Sequence, residues 1–154
     1  MERTAVPPLA LRDLGGARRP LAASWAAGPA LLFIGHSDCQ TSRLTLSYVD
    51  RLHRRRAAPV AVVAIVQDAP AAARELAAEL GLGLPVLIEE DPYPVSEALG
   101  LTTVPTLLLV DDGGRVTERS EGFRRAALES LAERLGVPPP FFAPGDTAPA
   151  LRPG

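Results

Sequence analysis

Cys39 is the only cysteine among 154 residues, and Ser42 follows it at the spacing C-x-x-S. Cys39 comes after the apolar run Ala30-Leu31-Leu32-Phe33-Ile34-Gly35 and opens the helix-like stretch Cys39-Gln40-Thr41-Ser42-Arg43. At a strand-to-helix junction, the helix dipole and free backbone N–H groups lower a thiol pKa and expose a nucleophilic thiolate. Ser42 would reach the sulfur with its hydroxyl from one turn away, and His36 and Arg43 would add positive charge. Asp38 opposes them, because an adjacent carboxylate raises a thiol pKa; the balance is read as a net lowering. One thiol and one hydroxyl cannot close a disulfide, so any chemistry here runs through one sulfur. Two blander readings stand beside these. Cys39 also reads as a small core residue, although its place at a strand-to-helix turn favours the reactive reading, and Ser42 reads equally as a first-turn hydroxyl satisfying backbone groups.

His36 and Cys39 also share an H-x-x-C spacing. A zinc site needs about four ligands and His53 is the only other histidine, so no metal is assigned, and no other cofactor. Hydrophobic residues make up 47% of the chain and charged residues 22%, as in a globular domain with a sizeable core. The net charge of −2 argues against a nucleic-acid partner, which needs a basic face. All 16 basic residues are arginine, and neither lysine nor asparagine occurs, which reads as base composition rather than function. One cysteine excludes an internal disulfide framework, so the chemistry requires no oxidising compartment. Met1-Glu2-Arg3-Thr4-Ala5-Val6-Pro7-Pro8 lacks the apolar core of a leader. The longest apolar runs, such as Val60 to Val66, fall far short of the roughly 20 residues of a membrane span. A cytoplasmic location without a membrane partner is the resulting expectation.

The elements that must hold Cys39 follow from the pattern. Leu9 to Arg12 and Ala17 to Pro20 flank Asp13-Leu14-Gly15-Gly16, a hairpin signature. Leu21 to Ala27 reads as an irregular or single-turn connector. Ala30 to Gly35 and Val60 to Val66 are continuous apolar runs of strand length, as in strands covered on both faces. Between them, Leu44, Leu46, Tyr48, Val49 and Leu52 define the inward face of a helix. It ends in His53-Arg54-Arg55-Arg56, cations that complement the dipole. Asp68-Ala69-Pro70 reads as a helix start with Asp68 as N-cap, running to Leu80 and ended by Gly81. Pro85 to Ile88 reads as a strand, Tyr93 to Leu99 as a short helix, and Thr106 to Val110 as a buried strand with Pro105 at its head. Asp111-Asp112-Gly113-Gly114 turns into a further strand, and Phe123 to Leu135 reads as an amphipathic helix. Residues 1–136 form the domain and residues 137–154 a Pro-rich tail, docked or loose, which Phe141-Phe142 would pin. Trp25, Phe33 and Phe123 read as packing residues.

Three pieces of this order resemble the thioredoxin superfamily, closest to its redoxin group of thiol-disulfide oxidoreductases and peroxiredoxin relatives. Val6-Pro7-Pro8-Leu9-Ala10-Leu11 with Gly15-Gly16 is similar to that group's N-terminal hairpin. Leu31-Leu32-Phe33-Ile34 leading to Cys39-Gln40-Thr41-Ser42-Arg43 stands in the place of its W-C-x-x-C-R site. Gly100-Leu101-Thr102-Thr103-Val104-Pro105-Thr106 followed by Asp111-Asp112-Gly113-Gly114-Arg115 resembles its G-V-P-T…D-x-G segment. The resemblance covers residues 6–136. Asp38 stands where the group has tryptophan, and Ser42 where it has the resolving cysteine.

The resemblance implies an α/β thioredoxin-like, three-layer fold with a mixed central sheet and an N-terminal β-hairpin. It implies that Pro105 is cis and lies against Cys39, leaving the Val104 backbone free to pair with an extended substrate. The expected function is a single-cysteine thiol-disulfide oxidoreductase acting on protein or small-molecule disulfides and thiols. Its mixed disulfide would be released by an external thiol, by the substrate's own second thiol, or would persist. Cys39 would also be able to link two chains under oxidation. A redox-inactive binding module is the alternative. A peroxide-reactive protein ranks below both, because His36 stands where the peroxiredoxin pattern has Thr or Ser.

Overall fold

Uninterrupted apolar runs make the centre of the sheet. The computed structural model describes residues 4–154, and Met1–Arg3, the start of the segment examined above for a leader, lie outside the described residues. Strand β3 (Ala30–Gly35) is buried along its whole length. It pairs in parallel with β4 (Ala61–Val66) and antiparallel with β6 (Thr106–Val110), so that Leu32 sits opposite both Val63 and Leu108. β4 continues in parallel to β5 (Val86–Ile88). The hairpin β1 (Ala10–Asp13) and β2 (Arg18–Pro20) closes one edge, and β7 (Val116–Glu121) the other, in the order β2-β1-β5-β4-β3-β6-β7.

Because side chains alternate across a strand, the two faces of this sheet carry separate cores. Leu31, Phe33, Val62 and Leu107 face one side, and Leu32, Ile34, Val63 and Leu108 the other. The first side is covered by α1 (Gln40–Arg55), α2 (Pro70–Leu80) and α4 (Arg125–Arg134), through residues such as Val49, Leu52, Leu76 and Leu128. The second is covered by α3 (Pro94–Leu99) and a 3-10 turn at Leu21–Trp25. This is the expected three-layer arrangement. Among the described residues, no helix is long and apolar enough to cross a membrane.

Polar side chains fix the loops that the apolar pattern leaves undetermined. Asp13 accepts from the backbone N–H groups of Gly15 and Ala17 at 3.0 and 2.9 Å and from Arg19 at 2.8 Å, which sets the β1–β2 turn. The Arg19 guanidinium holds the Asp13 carboxyl below its ordinary range. Asp50, buried on α1, accepts from Gly83 and Leu84 at 2.9 Å each and from Arg54 at 2.6 Å. It thereby ties the loop after α2 to the middle of α1.

Two expectations change. Asp68 is not the N-cap of α2. Ala69 holds that position without a side-chain bond, because the Asp68 carboxylate is taken by Ser37. The last helix begins at Arg125 rather than Phe123. Phe123–Arg124 form a short strand, β8, paired antiparallel with β9 (Leu151–Arg152), and a backbone extended for that ladder cannot also be helical.

Residues 137–154 are docked. Val137, Phe141 and Phe142 belong to the same core as α1 and α4, and both phenylalanine rings pack on Tyr48. Arg51 grips Asp146 through two hydrogen bonds of 2.7 and 3.1 Å and lies 4.7 Å over the Tyr48 ring. Burying each phenylalanine contributes about 2–3 kcal/mol, enough to hold the root of the segment in place.

Candidate active site

Cys39 stands where β3 hands over to α1. It is the N-cap of α1 in an extended conformation (φ −96, ψ 114). Its carbonyl accepts from Arg43 N–H at 3.1 Å, and its own N–H donates to the His36 carbonyl at 3.1 Å. In this position the sulfur takes the role a serine or aspartate oxygen plays in an ordinary cap. The Ser42 N–H, one of the helix's free donors, points at Sγ at 3.4 Å. From the other side the thiol donates to the Val104 carbonyl oxygen at 3.6 Å. Cys39 is partly exposed, so an incoming reagent can reach it.

The sulfur therefore has one donor and one acceptor, both backbone groups. The contact to Val104 joins residues 65 positions apart and brings the loop before β6 against the cysteine. The Val104–Pro105 peptide bond is cis, and the Pro105 carbonyl accepts from Gly122 N–H at 2.9 Å.

The other side chains named from sequence lie elsewhere than expected. The Ser42 hydroxyl does not donate to the sulfur. It is buried and accepts from the His36 backbone N–H at 3.2 Å, which is the backbone-satisfying reading of this residue. The His36 ring accepts from Asp38 N–H through Nδ1 at 3.0 Å, with carboxylate oxygens of Asp38 and Asp68 each 3.8 Å away. The Arg43 guanidinium leaves the site and pairs with Glu79 on α2. The structure thus brings Cys39, the Ser42 N–H and Val104 together, while the His36 ring takes the Asp38 N–H and the Arg43 charge goes to Glu79. The Asp38 carboxylate is turned to solvent.

Two polar groups behind the site are not among the site residues that the sequence pattern points to. Asp68, at the end of β4, is buried and accepts from both the N–H and the hydroxyl of Ser37, which pins the loop leading to Cys39. Glu89 is fully buried and accepts from Ser96 N–H, Ser96 Oγ and Gln67 at 2.8, 2.8 and 3.1 Å. Gln67 and Ser96 line a cleft of about 480 Å³ beside Val104, together with Tyr93, Thr102 and Thr103. The signal for both groups is their position at the C-terminal ends of parallel strands, where α/β sheets gather their sites.

No family profile matches the sequence, and no curated protein matches it. Solved structures do. A proposed thiol:disulfide interchange protein DsbE from Chlorobium tepidum superposes with a TM-score of 0.75 at 22% identity, covering 87% of this chain and 94% of its own. A thiol-disulfide oxidoreductase from Bacteroides fragilis gives 0.72 at 17% identity, covering 85% and 98%. The thioredoxin domain of a thiol-disulfide oxidoreductase from Bacteroides vulgatus gives 0.69 at 15% identity, covering 87% and 97%. The chain has the thioredoxin fold. Identities this low speak for architecture alone. Within the thioredoxin fold, the β3–α1 junction carries Cys39, and the loop before β6 carries the cis Val104–Pro105 bond that faces it.

Proposed function

We propose that this protein is a single-cysteine thiol-disulfide oxidoreductase with Cys39 as its nucleophile. The observation that carries the reading is the setting of Sγ, capped by the Ser42 N–H at 3.4 Å and facing the Val104 carbonyl at 3.6 Å while still open to solvent. The named activities of the structural neighbours agree with it. The Cys39 thiolate attacks one sulfur of a disulfide, forming the Cys39–S–S–R mixed disulfide and releasing the other sulfur as R′S⁻. With no second thiol in the chain, an external thiolate or the substrate's own second thiolate attacks the R sulfur of the mixed disulfide, forms a new disulfide with it and expels the Cys39 thiolate. With an external thiol the two electrons pass from that thiol to R′S⁻; with the substrate's own thiolate the substrate disulfide is rearranged without net reduction. Ser42 helps the sulfur through its backbone N–H, and Val104 and Pro105 form the substrate-facing edge. Such chemistry suits a cytoplasm rich in small thiols, and the proposal includes that location.

The test is turnover of a glutathionylated peptide in the presence of reduced glutathione, with mass spectrometry for the mixed disulfide. The proposal requires an adduct on Cys39 and turnover that disappears in Cys39→Ser. Undiminished turnover in Cys39→Ser removes the mechanism. An intact protein with no adduct and no turnover favours the redox-inactive module. A sulfenic acid formed on Cys39 faster than on free cysteine, without disulfide turnover, favours the peroxide-reactive protein.

A further inference from the structure

Residues 151–154 reach the loop that faces the same thiol. Leu151 and Arg152 pair with Arg124 and Phe123, and Arg125 N–H donates to the Ala150 carbonyl at 3.0 Å. The segment then crosses the first turn of α1. The Thr41 hydroxyl donates to the Pro153 carbonyl at 2.9 Å, and Arg152 donates to the Gln40 side-chain oxygen at 3.1 Å. It ends against the loop that faces the sulfur. A methyl group placed on Gly154 would sit 2.0 Å from the Val104 carbonyl oxygen, and one placed on Gly122 would sit 2.8 Å from the Arg152 carbonyl. The Val104 oxygen is the one that accepts the Cys39 thiol, and Gly122 is bonded to Pro105.

We infer that residues 151–154 are a removable cover over Cys39, an intramolecular occupant of the strip along which an extended partner lies. The inference takes from the proposed function only that partners approach the thiol along Val104. The cover and its root are held by different forces. The root is anchored by the buried Phe141 and Phe142 and the Arg51–Asp146 pair. The cover buries no side chain of its own. All four of its residues are exposed, and Leu151 is the one large apolar side chain left in solvent among the described residues, at 55% exposure. A two-residue ladder and two side-chain bonds hold it, and these are lost and regained without disturbing the core. Tethering by the root keeps its effective concentration high, so an outside chain must compete with it. Small reagents slip past such a cover, whereas bulky ones wait for it to open.

The test is the rate at which Cys39 reacts with N-ethylmaleimide and with the same maleimide carried on a polyethylene glycol chain. The intact wild type is compared with Gly154→Val and with the double variant Arg152→Ser/Gly154→Val. Any side chain at 154 collides with the Val104 carbonyl in the covered state. Neither residue touches the sulfur. Hydrogen exchange at Arg125 N–H reports whether the cover is docked. The expected result is loss of Arg125 protection and about a tenfold faster reaction with the polymer-linked reagent. That factor is the reciprocal of the open fraction in the wild type. The small reagent should change by less than about twofold, since it does not need the open state. A synthetic peptide of residues 148–154 added to the variants should restore the slow polymer reaction. Equal polymer rates in all three proteins overturn the inference. They do so with protection lost, because the segment then covers nothing, and with protection kept, because it is then a fixed part of the fold. This readout needs no turnover. A cover that opens on an enzyme without disulfide activity would remove the proposed function and leave the inference standing.

Discussion

The Ser42 hydroxyl accepts the backbone N–H of His36 at 3.2 Å, so the oxygen three residues after Cys39 is turned into the protein. It closes the chain between β3 and α1 and leaves the sulfur to the Ser42 backbone. Ser42→Ala should therefore act on stability more than on reactivity. A part-buried N–H loses its partner, at a cost of about 1–3 kcal/mol. Urea unfolding measures that loss. The rate of Cys39 alkylation at pH 7 should stay within about threefold, since the capping N–H at 3.4 Å remains. A large drop in rate at unchanged stability would show that the hydroxyl serves the sulfur after all.

Ser42→Cys tests the same geometry from the opposite side. Residues one helical turn apart bring their Cα atoms within the roughly 4.4–6.8 Å that a disulfide spans. The new sulfur must leave the His36 N–H by a change of χ1, which is a single staggered step. Mild oxidation should close a bond between positions 39 and 42, seen as the loss of two hydrogens by intact mass and of both free thiols by alkylation. Intermolecular dimers in place of that product would mean that the turn is too constrained to bring the sulfurs together.

Phe142 carries much of the anchoring of the final segment. Its ring lies 5.0 Å from Tyr48 and 5.0 Å from Phe141, and the Arg125 guanidinium lies 4.3 Å over it. Phe142→Ala removes a buried aromatic ring and should cost about 3–5 kcal/mol in chemical unfolding. The Arg125 N–H should exchange faster than any amide of β3 in this variant, because the ladder to Leu151 depends on the root being seated. Uniform weakening across the sheet would place the tail in the same cooperative unit as the core.

Most of what positions Cys39 is legible in the sequence, because it is local. The run Ala30–Gly35 is too apolar to be anything but buried, and the helical face of Leu46, Val49 and Leu52 follows directly, so the thiol is placed at their junction. The partners of the polar side chains were harder to read. Asp68 satisfies every local rule for an N-cap, yet Ser37, 31 positions earlier, presents two donors and takes the carboxylate. Arg43 looks like a cation beside a thiolate until α2 brings Glu79 to it. The tail has no periodicity for a pattern to detect. Its strand of two residues exists only because Phe123–Arg124 lie ready to pair with it.

Asp146 makes the anchoring of the tail sensitive to acid. Two hydrogen bonds from Arg51, with help from Ala143 N–H, pull its carboxyl down from 3.8 to about 2. A depressed carboxyl contributes stability that is whole above its unfolded value and is lost as pH falls through its folded one. The tail root should therefore loosen between pH 3.8 and about 2, followed through the Tyr48 ring resonances, and hold firm above that window. Asp146→Asn should weaken the root at pH 7 and remove the acid step. An acid step that persists in Asp146→Asn would assign it to another carboxylate.

His53 acts in a higher range and with the same sign. Burial first, and then the neighbouring Arg56 charge, lower its pKa below the ordinary 6.5. An Arg56 nitrogen lies 2.7 Å from His53 Nδ1, so the neutral ring accepts a bond that the protonated ring cannot. The unfolded chain binds this proton more readily than the folded one, so stability rises with pH wherever the two differ. The His53 contribution is whole above pH 6.5 and is lost as pH falls from there toward the folded value. The slope cannot exceed about 1.4 kcal/mol per pH unit, the limit for one proton. Urea unfolding across this range in wild type and His53→Gln isolates the effect, because every other titratable group is common to the two proteins. The wild type should lose stability relative to the variant as the solution is acidified below pH 6.5. A difference that stays flat with pH would mean that the folded protein accommodates the imidazolium, with Arg56 swinging away from the ring.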